Sequence, residues 1–344
     1  MDPRQLRERV RAAGRALGLT RVGFAPTTPL PHVEVLQRWL ELGMAAGMEY
    51  MARTTPERHL PRVLLPTART AVVVAVSCAG PADEPPAAGH GLVARYARGG
   101  DYHHLLRQAL APLANTMQAL AGRSLQVRIA VDSSPLLERE LAVAAGLGFI
   151  GKNTMLITPG LGSHTLLGVL LTDLELPPDG PLAGSVCGRC ELCLQACPTG
   201  ALDPYRLDAR RCISGLTIEH RGPIDPSLSI DPWVFGCDVC QTVCPHNVGP
   251  SAGRHGAAAP PALQGPPSLS LRELLALRSG AHRRLVRGRA LARSSRLTLI
   301  RNAALVAGAH RRRGELDQQT LCALRALIDH DDDGVRQAVR WALS

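Results

Sequence analysis

The sequence predicts an α+β chain in three parts: an N-terminal α/β domain, a ferredoxin-like domain and a C-terminal set of HEAT-like α-helical repeats. Three observations carry the prediction. Helix-period and strand-period segments alternate up to residue 178. Eight of the ten cysteines lie between Cys187 and Cys244. From residue 269 onward the apolar spacing is helical and arginine is abundant. The expected boundaries are 1–178, 179–248, a Pro/Gly-rich linker at 249–268, and a basic helical part at 269–344.

The first part reads as an Arg-rich amphipathic helix near 4–17, a strand near 20–25 and a helix near 33–43. A strand at 70–78, a helix at 101–121, a strand at 125–131, a helix at 135–146 and a strand at 164–172 follow. Such an alternation predicts an α/β sandwich or a related α+β domain. Hydrophobic content of 45% and charged content of 20% exclude a disordered or collagen-like chain. Aromatics are 3%, so Leu, Val and Ala must fill the core. No apolar run reaches membrane-spanning length, and the N-terminus lacks the continuous apolar stretch of a secretion signal. A cytoplasmic protein is expected.

The cysteines indicate metal in a reducing compartment, because short repeated spacings crowd them into one segment. Cys187-x2-Cys190-x2-Cys193-x3-Cys197-Pro198 has the bacterial ferredoxin spacing, and Cys237-x2-Cys240-x3-Cys244-Pro245 follows, with Cys212 between. Eight thiolates suit two 4Fe-4S clusters. In paired sites the last cysteine of each run reaches the other cluster, which assigns Cys187, Cys190, Cys193 and Cys244 to one and Cys197, Cys212, Cys237 and Cys240 to the other. The alternative, two four-cysteine zinc sites, would use separated C-x2-C knuckles, unlike a run of four closed by Cys-Pro. Cys78 and Cys322 are expected to be buried core thiols.

Asp132 follows the strand at 125–131 and precedes Ser133-Ser134-Pro135, which opens a helix. It is a strand-end carboxylate, and position alone assigns it to helix capping. The chain has 38 arginines and one lysine, Lys152, so that lysine is a candidate for work a guanidinium cannot do. Gly151-Lys152 is not a phosphate-binding loop, because Asn153 stands where Ser or Thr would bind magnesium. Asp101-Tyr102-His103-His104 reads as a helix-opening Asp with exposed histidines, and no metal is assigned to it.

From Arg272 onward, 15 arginines face seven acidic residues. Leu297, Ile300, Ala304 and Leu305, then Leu321, Leu324, Leu327 and Ile328, then Val335, Ala338, Val339 and Ala342 mark three helices. A basic helical surface favours a phosphate backbone as partner, recognised by shape and charge, against the blander reading of a solvated arginine face.

Several motifs together resemble the epoxyqueuosine reductases, cobalamin-dependent enzymes that complete queuosine in tRNA. They are Arg95-Tyr96-Ala97 with Asp101-Tyr102-His103, Val131-Asp132-Ser133 through Glu138-Arg139, and Gly148-Phe149-Ile150-Gly151-Lys152-Asn153-Thr154. Thr172-Asp173, Cys197-Pro198-Thr199-Gly200-Ala201-Leu202, Arg211-Cys212-Ile213-Ser214 and Gly236-Cys237-Asp238-Val239-Cys240 through Pro245 complete the set. The resemblance spans nearly the whole chain. It implies a cobalamin, cob(II)alamin at rest, between the N-terminal domain and two 4Fe-4S clusters, and a HEAT-like tail that helps hold tRNA. It implies that Asp132 is the proton donor, a role for which burial against the corrin would raise its pKa. Arg58, Arg95, Tyr96, Asp132, Lys152, Asn153, Leu156, Ser214 and Asp238 are implied to line the cofactor or substrate pocket. Arg301, Arg311, Arg312 and Arg313 are expected to meet the tRNA, with a shortened grip because the tail stops at Ser344. The D-x-H-x-x-G corrinoid motif is absent, since Asp101-Tyr102-His103 is not followed by its glycine, so a histidine-ligated cobalt is not expected.

The implied partners are tRNA with epoxyqueuosine at the wobble position and a low-potential electron donor, with no membrane and a monomeric chain. Two other functions fit part of the pattern. A reductive dehalogenase would share corrinoid and clusters but carry a twin-arginine export signal. A plain iron-sulfur electron carrier would hold clusters without cobalamin.

Overall fold

A computed structural model of the chain describes residues 1–80, 84–183, 187–248 and 258–344. Its first layer is α1 (Pro3–Ala16), started by Asp2, whose carboxylate accepts the N–H of Gln5, and burying Leu6, Val10 and Gly14 along one stripe. Strand β1 (Arg21–Pro26) follows, then three short helices, α2 (Val33–Glu41), α3 (Glu49–Arg53) and α4 (Thr55–Arg58). Next come β2 (Thr70–Ser77), β3 (His90–Val93), α5 (Tyr102–Ala121), β4 (Val127–Ala130), α6 (Glu138–Ala144), the hairpin β5 (Phe149–Ile150) and β6 (Leu156–Ile157), and β7 (Thr165–Thr172).

Strands β1, β2, β7 and β4 form one sheet in that order, every neighbouring pair antiparallel. β2 sits inside it and is buried on both faces, which its unbroken apolar run anticipates. Its side chains divide by the two-residue period. Val72, Val74 and Val76 join the core beneath α1 and α5 with Leu106, Leu110 and Met117. Ala71, Val73 and Ala75 join the core beneath α6 with Leu141 and Ala142. The smaller residues face α6, which comes so close that a Cβ on Gly23 would sit 2.2 Å from Ala145 O. The sandwich reading holds in its elements; α6 starts at Glu138, three residues later than the expected 135.

The cysteine segment carries α7 (Leu192–Ala196), the hairpin β8 (Leu202–Asp203) and β9 (Arg206–Leu207), α8 (Ile213–Ile218), β10 (Trp233–Phe235) and α9 (Val239–Thr242). β10 runs parallel to β3, and β11 (Ser268–Ser270) pairs antiparallel with the other edge of β3. One small sheet therefore ties the N-terminal part, the cysteine segment and the start of the tail.

The tail contains α10 (Leu271–Leu275), α11 (Ser279–Val286), α12 (Arg296–Arg312), α13 (Gln318–Arg325) and α14 (Asp333–Leu343). The three helices expected from spacing are α12, α13 and α14. α12 is buried over most of its length, and α14 crosses it where Gly308 leaves only 2.7 Å between a would-be Cβ and Ala342 Cα. Arg301 is a correction to the expected tRNA contacts. It is 2% exposed, and its guanidinium donates to Leu216 O at 2.7 Å, Gly222 O at 2.7 Å and His220 O at 3.1 Å. Asn302 donates to Thr217 O and Val234 O, both at 2.9 Å. These two side chains satisfy carbonyls in the last turn of α8, in the chain just after it and in β10, so Arg301 and Asn302 anchor the tail to the cysteine segment. Cys322 is a second correction: it is exposed, whereas Cys78 is buried as expected.

Candidate functional site

The eight clustered cysteines fall into two neighbouring groups. Cys187, Cys190, Cys193 and Cys244 line one cavity of about 170 Å³ with Lys152, Asn153 and His246. Cys212, Cys237 and Cys240 lie within electrostatic reach of one another, and Cys197 influences Cys212 and Cys237. Cys193 also acts on Cys240, so the groups adjoin. Burial, reinforced by neighbouring thiols, raises the pKa of Cys193, Cys212 and Cys244, that of Cys237 to about 12, and that of Cys240 well above the ordinary value.

Backbone amides are aimed at these sulfurs. Lys152 N–H donates to Cys187 Sγ at 3.4 Å and Ala201 N–H to Cys197 Sγ at 3.3 Å. The N–H groups of Gly215 and Ser214 face Cys212, that of Val239 faces Cys237, and those of His246 and Asn247 face Cys244. Among the described residues no three His, Cys, Asp or Glu side chains converge as one ion would need. Thiols that ring a cavity and receive N–H···S bonds suit iron-sulfur clusters, whose potentials such bonds tune. Gly236, which precedes Cys237, takes φ +70°, and a Cβ there would meet Ala94 Cβ at 2.5 Å, so the second group is pressed against the chain after β3.

Asp132 stands at the end of β4 with φ +53°, a left-handed backbone rare for a side chain other than glycine. It does not cap α6, whose N-cap residue Leu137 makes no side-chain cap bond. Its carboxylate turns instead to α5: Tyr102 OH donates to Oδ2 at 2.8 Å, and His103 Nε2 lies 3.2 Å from the same oxygen. The other ring nitrogen, Nδ1, lies 2.7 Å from Asp101 Oδ1, and Asp101 also caps α5 through His103 N–H. Asp132 N–H donates to Glu138 Oε1 at 2.7 Å. The hydrogen bond with His103 is the main cause that lowers the Asp132 pKa, outweighing burial. Burial opposes charge on His103, but the bonds to Asp132 and Asp101 win and raise its pKa. Burial, with the charge of Asp132 beside it, pushes Glu138 up to about 8. The pair thus favours charge on both partners, a carboxylate at Asp132 and an imidazolium at His103; the raised Asp132 pKa expected from burial against a corrin is a property of the cofactor-bound site.

Asp132 keeps 62% of its side-chain surface exposed, and polar groups from three stretches of chain form its electrostatic surroundings. Tyr50 comes from the N-terminal part, Glu219 from the cysteine segment and Arg293 from the tail. Arg293 pairs with Glu219 through bonds of 2.7 and 2.8 Å and lies 5.3 Å from the centre of the Tyr50 ring. Its charge reaches Asp132.

The expected pocket residues separate in space. Arg58 shares the electrostatic surroundings of Asp132, Tyr50 and Glu138. Tyr96 packs edge-on against Tyr102, with centroids 6.0 Å apart, and feels both Asp132 and Asp238. Buried Asp238 accepts Arg95 N–H at 2.7 Å, joining the residue next to Cys237 to the wall beside Tyr96. Asn153 Nδ2 donates to Cys240 O at 3.3 Å. Lys152 belongs to the cavity of the first cysteine group. Leu156, 2% exposed as a whole residue, lies in the core under α6 and pairs with Ile150 in the β5–β6 hairpin. Ser214 meets Cys212 through its N–H. Sequence reasoning missed Tyr50, Glu138, Glu219 and Arg293 as neighbours of Asp132, and His103 as its partner. Asp101-Tyr102-His103 was visible as a motif, but nothing in the spacing showed that α5 opens beside β4.

A double-cluster ferredoxin-type unit laid against a strand-end carboxylate defines an iron-sulfur oxidoreductase. Residues 186–247 match the model of the 4Fe-4S double cluster binding domain, and residues 58–133 match that of epoxyqueuosine reductase QueG, DUF1730. The chain belongs to the epoxyqueuosine reductase family. It is 43% identical to the epoxyqueuosine reductase of Pseudomonas aeruginosa over 72% of this chain and 70% of that one. With the enzyme of Xanthomonas campestris it shares 37% identity over 100% of this chain and 97% of that one. A crystal structure of epoxyqueuosine reductase with an epoxyqueuosine-modified tRNA-Tyr stem loop superposes with a TM-score of 0.85 at 29% identity, covering 98% of this chain and 89% of that chain. A Bacillus subtilis epoxyqueuosine reductase, solved with its catalytic loop swung out of the active site, gives 0.85 at 29% identity, again covering 98% and 89%.

Proposed function

We propose that this chain reduces the epoxide of epoxyqueuosine in tRNA to the cyclopentene of queuosine, using two 4Fe-4S clusters, cobalamin and the Asp132–His103 pair. The observation that carries the proposal is Asp132 itself: an accessible carboxylate, hydrogen-bonded to Tyr102 and His103, with Arg293 of the tail in electrostatic reach. Removing the epoxide oxygen as water takes two electrons and two protons. Charge that develops on that oxygen needs a donor within hydrogen-bond reach, and Asp132 is the accessible group there. His103 holds the proton and Asp132 passes it on; Tyr102 and Asp101 fix the carboxylate and the ring in line.

Cys187, Cys190, Cys193 and Cys244 would hold one cluster, and Cys197, Cys212, Cys237 and Cys240 the other, supplying electrons one at a time. For cobalamin, the buried polar wall of Arg58, Arg95 and Asp238 beside Tyr96 suits a ligand edged with amides and phosphate, and Asn153, Leu156 and Ser214 would line the side toward the clusters. When bound, cobalamin supplies a strongly nucleophilic reduced cobalt. Through Asp238, which follows Cys237 and accepts Arg95 N–H, the cysteines of the second cluster would adjoin this wall.

For the tRNA, the exposed arginines of the tail fit phosphate contacts. No Asp or Glu occurs from residue 274 to 314, a stretch with Arg278, Arg283, Arg284 and Arg287 exposed around α11 and leading to Arg293 beside Asp132. Arg311, Arg312 and Arg313 serve less directly: Arg311 bonds Ala342 O, Arg312 lies 3.6 Å from the Trp341 ring centre, and Arg313 pairs with Asp231 and Glu315. The HEAT-like stacking of α12 to α14 then serves as the support for this face. No described helix is long and apolar enough to cross a membrane. The reading places the chain in the cytoplasm as a monomer served by a low-potential electron donor. The test is anaerobic purification with iron and cobalt analysis, followed by turnover of epoxyqueuosine tRNA. About eight irons per chain, one cobalt on adding cobalamin, and queuosine as product are expected; clusters with no cobalt uptake and no turnover would leave only an electron carrier.

A further inference from the structure

The geometry points to Lys152 as the residue that sets the reduction potential of the cluster held at Cys187, Cys190, Cys193 and Cys244, with Glu191 as its counterweight. Lys152 is pinned on the wall of that cavity at three points. Its N–H donates to Cys187 Sγ at 3.4 Å, its carbonyl accepts Tyr205 N–H at 3.0 Å, and its Nζ lies 3.5 Å from Glu191 Oε1. Its side chain is 11% exposed while that of Glu191 is 50% exposed. Glu191 stands between Cys190 and Cys193 at the start of α7, so both charges belong to the ligand loop.

A four-thiolate cluster becomes more negative on reduction, so a positive charge in its wall favours the reduced form and a negative one opposes it. The two charges do not cancel, because water screens the half-exposed carboxylate more than the buried ammonium. The net effect of the pair is to raise the potential. Gly188, Arg189 and Leu192 around this cavity are exposed, whereas the second cysteine group adjoins buried Asp238. The first cluster is thus open to an external donor, and Lys152 makes it an easier acceptor. A compact ammonium suits this wall, which accounts for one lysine among 39 basic residues.

The inference rests on the two-cluster reading, which iron content tests separately. The experiment is an EPR-monitored anaerobic redox titration of the purified holoenzyme, its Lys152→Gln and Lys152→Arg variants, and Glu191→Gln. Lys152→Gln is expected to shift one midpoint to more negative potential and leave the other in place. Glu191→Gln should shift the same midpoint upward, and Lys152→Arg should lie nearer the parent than Lys152→Gln. Unchanged midpoints in both Lys152→Gln and Glu191→Gln at full iron would overturn the role. So would a Lys152→Gln enzyme that loses iron while its remaining clusters titrate at the parental potentials, since that marks a structural residue.

Discussion

His103 bridges two carboxylates: Nε2 lies 3.2 Å from Asp132 Oδ2 and Nδ1 lies 2.7 Å from Asp101 Oδ1. The pair has a pH signature. Asp132, its pKa lowered from the ordinary 3.8, contributes stability above that value and loses it as pH falls through the lower folded one. His103, its pKa raised from 6.5, contributes stability below that value and loses it as pH rises through the higher folded one. The stability deficit of His103→Gln should therefore be greatest between about pH 3.8 and 6.5 and shrink on both sides. Because Asp132 is well exposed, the deficit should stay under about 1 kcal/mol. Urea unfolding of both proteins across pH measures it, and a pH-independent difference would sink the assignment.

Replacing Asp132 by Asn keeps the shape and removes the carboxylate that relays the proton from His103. Turnover should fall by about 10² to 10⁴-fold, the usual worth of a positioned acid, with iron content and cobalamin uptake unchanged. Full turnover would remove Asp132 from the chemistry.

Glu138 behaves differently, because burial holds it neutral up to about pH 8. Glu138→Gln imitates that neutral form and still offers an oxygen to Asp132 N–H. Activity at pH 7 should survive, whereas the parent should lose kcat/KM as pH rises through about 8 and the variant should lose less. Identical alkaline limbs would count against an ionising Glu138.

Much of this was legible from local pattern. The continuous apolar run of β2 and the spacing of α1 and α5 mark their elements without reference to the rest of the chain. What escaped depends on contacts distant in sequence. β3, β10 and β11 are short, carry no periodicity, and pair across more than a hundred residues, so the sheet joining the three parts was invisible. Asp132 looked like a helix cap because spacing cannot reveal a left-handed φ that turns the carboxylate to α5. Arg301 looked like a surface charge because its composition matches its neighbours; only the carbonyls of α8 show why it is buried.

The two cysteines outside the cluster groups give a further check. Cys78 and Cys322 should be replaceable by Ser or Ala with iron retained, and Cys322, exposed, should react first with a maleimide, since burial pushes the Cys78 thiol up to about 12. Cys212→Ser should lose iron and EPR signal from one cluster. Retention of about eight irons in that variant would contradict its place among the ligands.

The arginines of the tail separate into anchors and phosphate-facing groups, and salt distinguishes them. Arg301→Leu leaves the carbonyls of Leu216, His220 and Gly222 without their donor, at a cost of about 1 to 3 kcal/mol for each buried acceptor left unpaired. It should lower the unfolding midpoint and, in the fraction that folds, leave the salt dependence of tRNA binding as in the parent. A joint Arg283→Gln, Arg284→Gln and Arg287→Gln variant should do the reverse. Those side chains are exposed around α11, so stability should change by less than about 0.5 kcal/mol each. The KM for tRNA should rise, and the slope of log affinity against log salt should flatten by about 0.7 to 0.9 for each phosphate that is no longer neutralised. A parental slope in the triple variant would place the tRNA on another face, and a flattened slope in Arg301→Leu would mean that its anchoring role extends to the shape of the binding surface.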